Sequence, residues 1–231
     1  MDKRNYCFSR NPLVFGKSIE QPPSSDIKRA IGLWSASLED SLKLGGDITR
    51  MAISAMNLRH DRKYVVVDVK THMLMPGMWP ALPGWHTDGA PRDEKFNPQG
   101  LGAPNQFAQE LPEVRSPRYH LLVTGQGCLT EFIQGPLELS LPQEPTPELY
   151  SLISKQVREK VQAGEVKSKS VPSCQAVEFD WHDLHSAVVA TKKEWRYMIR
   201  VTETDYLPPC QDINQIIRIQ QQVYITQDFG W

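Results

Sequence analysis

The sequence predicts a mainly β fold with flanking helices, an antiparallel sandwich or jelly roll, on three observations. Short runs rich in β-branched and aromatic residues recur from residue 64 onward, and prolines and glycines divide them at short intervals. Helical periodicity is confined to the first sixty residues and one later segment. Strands that follow a helical start in this way suit a layered antiparallel architecture. The 231 residues can bury a full core, and no long polar or low-complexity linker divides them. The expected organisation is a single domain 1–231: a helical N-terminal extension over 1–62, a β core over 63–205 and a C-terminal tail over 206–231.

Taken in order, Ile27, Ile31, Trp34, Leu38 and Leu42 recur at helical spacing and predict one amphipathic helix, ended by Gly45-Gly46. Asp47 can cap a second helix whose inner face is Ile48, Met51, Ala52 and Ala55. Tyr64-Val65-Val66-Val67-Asp68-Val69 reads as a strand. A second strand is His120 to Thr124, with Gly125-Gln126-Gly127 as a turn and Cys128 to Ile133 as its hairpin partner. One helix interrupts the β region: Thr146 as N-cap, Pro147 in the first turn, and an apolar face of Leu149, Leu152, Ile153, Val157 and Val161 before Gly164. Gln175 to Trp181 and Trp195 to Thr202 are the last clear strands.

Charge is balanced, with 26 basic against 27 acidic residues, and scattered rather than blocked. A nucleic-acid binder normally carries a basic stripe, so nucleic acid is not indicated as a partner. No apolar run approaches the roughly 20 residues of a membrane span, and the N-terminus lacks a secretory stretch, so a cytoplasmic protein is expected. Cys7, Cys128, Cys174 and Cys210 are few and far apart, which argues against a zinc knuckle or a disulfide scaffold.

The chemistry concentrates in two segments. In Pro83-Gly84-Trp85-His86-Thr87-Asp88-Gly89, His86 and Asp88 are two apart, so a strand presents both side chains on one face, side by side to one metal. In Phe179-Asp180-Trp181-His182-Asp183-Leu184-His185-Ser186-Ala187, a second imidazole is available from His185, with His182 a competitor. Two histidines and one carboxylate form a facial set that leaves positions open, as non-haem iron(II) requires. In the strand Glu194 to Val201, Arg196, Met198 and Arg200 share one face while Trp195, Tyr197, Ile199 and Val201 share the other. Arginine's planar fork suits a carboxylate in a confined site. Trp85 and Trp181 flank the two ligand segments as candidate pocket walls.

This pattern resembles the Fe(II)/2-oxoglutarate-dependent oxygenase superfamily, in particular its phytanoyl-CoA hydroxylase-like and taurine dioxygenase-like branches. Those enzymes use His-x-Asp/Glu, a distal histidine and an arginine roughly ten to fifteen residues beyond it. Here the intervals from His185 are 11 to Arg196 (196 − 185) and 15 to Arg200 (200 − 185). The lead-in of a strand, a Pro-Gly turn and a tryptophan before the first ligand is also similar, and the likeness runs from Tyr64 to Asp205. The resemblance implies a double-stranded β-helix of jelly-roll, cupin-like form, with Fe(II) and 2-oxoglutarate as cofactors and hydroxylase-type activity. It implies His86, Asp88 and His185 as metal ligands and Arg196 on the distal carboxylate of 2-oxoglutarate. Arg200 would meet the cosubstrate or an acidic substrate group. His185 is preferred to His182 because its intervals fit and Ser186-Ala187 resembles the small residues that follow this ligand. The hydroxyl that assists 2-oxoglutarate in the family has no firm counterpart; Tyr119 and Thr124 are candidates.

Two rival readings stand beside this one: a cupin-like metalloenzyme that does not use 2-oxoglutarate, and a non-catalytic β-sandwich module with His86 and Asp88 in a surface turn. The partner is expected to be a small molecule. Its identity depends on loops such as 90–110; Arg92, Arg115 and Arg118 would favour an anion.

Overall fold

The computed structural model describes residues 2–92, 102–218 and 222–225, and the remaining positions lie outside this description. The chain is mainly β, built on a large antiparallel sheet with helices on one side. It starts with β1 (Lys3–Phe8), β2 (Val14–Ser18), α1 (Ser24–Arg29), β3 (Gly32–Ser37), α2 (Leu38–Leu44) and α3 (Gly46–Ser54). Next come β4 (Tyr64–Leu74), β5 (Met78–Trp79), β6 (Arg118–Val123), β7 (Thr130–Gln134) and β8 (Leu137–Pro142). The long helix α4 (Leu149–Gln162) precedes β9 (Lys167–Ser170), β10 (Gln175–Asp180), β11 (His185–Ala187) and β12 (Glu194–Thr204). The chain closes with α5 (Ile213–Ile216), β13 (Ile217–Arg218) and β14 (Tyr224–Ile225).

The helical extension expected over 1–62 is corrected: three short helices alternate there with three strands. The periodic run from Ile27 to Leu42 is cut twice. α1 stops when Ala30 turns to an extended conformation, and Ser37 caps a new helix by accepting the amide of Asp40 at 3.0 Å. Between these points β3 pairs with β4 and buries Leu33 and Ala36, leaving Trp34 exposed. Sheet pairing with a strong neighbouring strand overrides a helical period made by coincidence. In α3, Ile48 and Ala52 are buried as expected, while Ile53 rather than Met51 completes the inner face.

The large sheet runs β13-β3-β4-β12-β6-β10-β2, and a smaller one runs β11-β7-β9. The hairpin expected between β6 and β7 does not form: β6 pairs with β10 and β12, whereas β7 crosses to the small sheet. Glu194 secures that crossing by accepting the amides of Gln126 and Gly127. One face of the large sheet carries Val67, Val69, Tyr197, Ile199 and Val201 against Ile27, Ile48 and Ala52 of the helices. Each such large buried side chain contributes on the order of 1.5–3 kcal/mol. The opposite face, turned to the small sheet, carries Tyr119, Leu121, Val123, Val177, Phe179 and Met198 packed with Phe132. Arg196 and Arg200 belong to this inner face, as the alternation along β12 requires. Among the described residues no helix is long and apolar enough to cross a membrane, and the four cysteines are free thiols.

Candidate metal centre

The segment Trp85 to Asp88 runs beside β11 as a short antiparallel bridge. His86 and His185 exchange both backbone hydrogen bonds, each N–H to O distance being 3.0 Å. Residues opposed in this way share a face, so the two imidazoles lie together with ring centroids 4.5 Å apart. Asp88, two positions on, joins them, while Thr87 between them is buried on the other side. One ligand atom from each of His86, Asp88 and His185 lies within 4.8 Å of the others. These chain positions, 99 residues apart (185 − 86), thus converge as expected. His182 does not join them; its ring lies 3.4 Å from Glu110 and 3.6 Å from Asp180.

The protonation pattern suits a cation. His86 Nδ1 bonds to the carbonyl of Gly84 at 2.9 Å, and His185 Nδ1 to that of Asp183 at 3.0 Å. A carbonyl only accepts, so each Nδ1 carries the hydrogen and each Nε2 keeps its lone pair. That of His185 stands 3.7 Å from Asp88 Oδ2. Burial, with the neighbouring His86, pushes His185 down to about 4, so its ring is neutral at pH 7. Burial alone would raise Asp88, but Arg200 and the two imidazoles outweigh it and hold the carboxyl well below the usual range. Arg200 donates to Asp88 at 2.7 Å and to Asp68 at 3.0 Å.

Arg196 has a different environment. It is 4% exposed, its Nε donates to the carbonyl of Cys128 at 2.8 Å, and it makes no ion pair among the described residues. Its cross-strand neighbour is His72, buried and held near 4 by that burial and by Arg196 itself. A buried guanidinium without a carboxylate is costly, and it marks a place where an anion would be welcome.

Two cavities border the triad. The larger, of about 1700 Å³, is lined by His86, Asp88, Trp85, Lys70 and Tyr150 among others. The smaller, of about 220 Å³, lies on the far side of Asp88 against Tyr119, Arg200 and Thr202. Tyr119 faces this smaller space, stacked on Phe179 with Arg200 over its ring at 5.9 Å. Thr124 borders neither cavity; its hydroxyl accepts the amide of Tyr197 at 3.1 Å. Trp85 walls the large cavity, and Trp181 is buried in the core beside Phe179. Arg196 also borders neither of these two cavities. Arg115 and Arg118 are bound to Asp61, and Arg118 also to Glu203, so they do not serve the site. Arg92 donates to the carbonyl of Gly102 and lies near Tyr150. Of the loop 90–110, positions 93–101 lie outside the described residues.

Sequence reasoning passed over three residues that the fold brings here: Asp68, Lys70 and Tyr150. Asp68 and Lys70 sit on β4 directly across from Arg200 and Met198. Continuing the alternation of Tyr64–Val69 to Leu74 and matching it with β12 would have found them. Tyr150 meets His86 edge-on at 6.4 Å, and burial lifts its hydroxyl to about 12. It precedes the apolar stripe of α4 and gave no signal of its own. Comparison of the sequence with known family profiles finds no match, and comparison with curated protein sequences finds none either.

Proposed function

We propose that the chain is an iron(II)- and 2-oxoglutarate-dependent oxygenase of hydroxylase type. The observation that carries this reading is the triad itself: two imidazoles fixed as Nδ1–H tautomers on a cross-strand pair, with an ionised carboxylate on the same face. Three ligands on one face leave the opposite coordination positions open, the arrangement suited to non-haem iron(II). The backbone carbonyls of Gly84 and Asp183 act as the outer partners that orient ligating histidines and set their tautomer.

The strand order supports a double-stranded β-helix. After β4, the chain passes to the 85–88 segment beside β11, back to β6, over to β7, out through β8 beside β1 and α4, then to β9 beside β7, back to β10, on to β11 and finally β12. A chain that winds repeatedly between two facing sheets encloses its site between them, as in jelly rolls.

When bound, iron(II) supplies dioxygen activation coupled to decarboxylation of 2-oxoglutarate to succinate. The chain's residues provide the setting. Arg200 keeps Asp88 ionised and aimed at the imidazoles, and Asp68 holds the other branch of that guanidinium. Arg196, which borders neither cavity, is buried on the inner face of the sheet without a carboxylate partner among the described residues, and in this reading it takes the distal carboxylate of the cosubstrate. Phe132 and Phe179 pack against His185 at centroid distances of 5.3 Å and 5.2 Å and exclude water from that side. Tyr119, whose hydroxyl stays neutral because burial raises it strongly, borders the carboxylate without competing as an anion.

Iron-dependent formation of succinate from 2-oxoglutarate by the purified chain, lost in Asp88→Ala, is the expected result. Absence of turnover with iron bound would leave a cupin-like metalloenzyme that does not use 2-oxoglutarate. In that case Arg196→Ala would keep whatever activity the metal confers.

A further inference from the structure

Three of the cations that line the large cavity have no ion-pair partner among the described residues. Lys70 on β4, and Lys155 and Arg158 on α4, border it and make no ion pair among the described residues. The two carboxylates nearest Lys70, Asp68 and Asp88, are both engaged by Arg200. Among the described residues Glu159 is the one further carboxylate on the same walls, so positive charge there is in excess. Lys70 is exposed on the cavity wall, where desolvation and the neighbouring Arg200 lower its pKa while Asp68 and Asp88 act in the opposite sense.

The cations are also placed for a purpose. Tyr150, Ser154 and Arg158 follow at intervals of four on α4 and so form one row along the helix, beside the row of Leu149, Ile153 and Val157 that is buried. This row lies against the segment that carries the first ligand. Tyr150 meets the ring of His86, Ser154 accepts the amide of Trp85 at 3.1 Å, and Arg158 Nη2 lies 4.0 Å from where a Cβ on Gly84 would stand. Gly84 in turn is hydrogen-bonded to His86. Lys70 approaches from the opposite sheet and feels the charge of Asp88. At about 1700 Å³ the space exceeds the roughly 300–1,000 Å³ of ordinary small-ligand pockets.

We propose that the large cavity receives an anionic substrate bigger than an amino acid, a carboxylate or phosphate ester whose oxyanion is held by Lys70 and Arg158 beside the triad. Tyr150 then forms the wall along which the substrate reaches the metal. This deepens the oxygenase reading and rests on it for the role of the metal, but the anion site itself can be tested separately.

The test uses the full chain with Mn(II) bound and measures paramagnetic relaxation of inorganic phosphate by ³¹P resonance and of ¹³C-labelled acetate in a parallel arm. The expected result is enhancement by protein-bound Mn(II) at a separation too long for direct coordination. It should weaken roughly tenfold in Lys70→Met and in Arg158→Met, the effect of one lost charge-assisted hydrogen bond. Neither side chain makes a hydrogen bond or ion pair among the described residues, so both variants should melt with the wild type. Phosphate preferred over acetate assigns a phosphate ester, and the reverse a carboxylate. Equal enhancement in wild type and variants, or no binding of either anion, overturns the proposal. If Mn(II) itself fails to bind, the metal reading falls. Calorimetric titration of phosphate into the metal-free chain then decides the anion site by the same variants.

Discussion

Replacement of Arg196 by methionine should separate the stability of the fold from its function. The side chain is 4% exposed, donates one hydrogen bond to Cys128, and has no carboxylate partner among the described residues. Methionine retains much of its volume. Removing the guanidinium forfeits a hydrogen bond involving a charged group, about 1.5–3 kcal/mol, but also removes a desolvation cost of several kcal/mol. The ligand-free Arg196→Met protein should therefore be as stable as the wild type or more stable by about 1 kcal/mol. In a chain of this size that is a rise in Tm of about 2–4 °C. With Mn(II) present, 2-oxoglutarate at one hundred times its Kd should stabilise the wild type by about 2.7 kcal/mol. Loss of the clamp weakens binding about 10- to 100-fold, so about 1.3–2.3 kcal/mol of that gain should vanish in the variant. Urea denaturation with and without 2-oxoglutarate reads both effects. A variant destabilised by about 3 kcal/mol or more, as expected for a guanidinium in a buried ion pair, would refute the view of Arg196 as an unpaired cation. Undiminished stabilisation by 2-oxoglutarate would refute its role as the clamp.

Three further outcomes are expected. Burial alone would raise Glu203, but hydrogen bonds from His120, Arg118 and the amide of His60 outweigh it and hold the carboxyl at about 2, against an ordinary 4.5. A depressed carboxylate stabilises above its unfolded pKa and loses that contribution as pH falls through the folded one. Glu203→Gln should thus be less stable than wild type by about 3 kcal/mol at pH 7, with the gap closing between pH 4.5 and about 2; a gap independent of pH in urea titrations would contradict this. Gly89 has φ +73°, and a Cβ there would collide with the Tyr119 hydroxyl. Gly89→Ala should displace Asp88 and weaken Mn(II) binding by about tenfold, with partial recovery in Gly89→Ala/Tyr119→Phe; calorimetry that shows no recovery would assign the defect to backbone strain alone. Arg118→Met should cost about 3–5 kcal/mol in urea unfolding, because Glu203, fully buried, loses its guanidinium; a neutral effect would show that His120 and the backbone amides suffice.

The triad was legible because its geometry follows from strand periodicity. His86 and Asp88 share a face whichever strand carries them, and His185 needed only an antiparallel neighbour. The two faces of β12 were legible for the same reason, Trp195, Tyr197, Ile199 and Val201 being odd-numbered and both arginines, with Met198 between them, even-numbered. The N-terminal strands were not. Ser37 caps α2 locally, but the force that extends Gly32–Ser37 is pairing with β4, which lies in sequence beyond any helical window. The placement of β7 escaped for a related reason. Its turn, Gly125 to Gly127, would serve a hairpin equally well, and only the availability of β12 and β10 as better partners for β6 sends it to the other sheet. The cations of the cavity were misassigned because arginines look alike in sequence: Arg115 and Arg118 have carboxylate partners, whereas Lys70 and Arg158 have none among the described residues.

Anaerobic titration of the purified chain with iron(II), followed by X-ray absorption at the iron edge, tests the metal centre most directly. One iron per chain, ligated by two imidazole nitrogens and a carboxylate oxygen and lost in His185→Ala, is the result predicted by the convergence of His86, Asp88 and His185. Failure to bind iron, or ligation unchanged in His185→Ala, would contradict it.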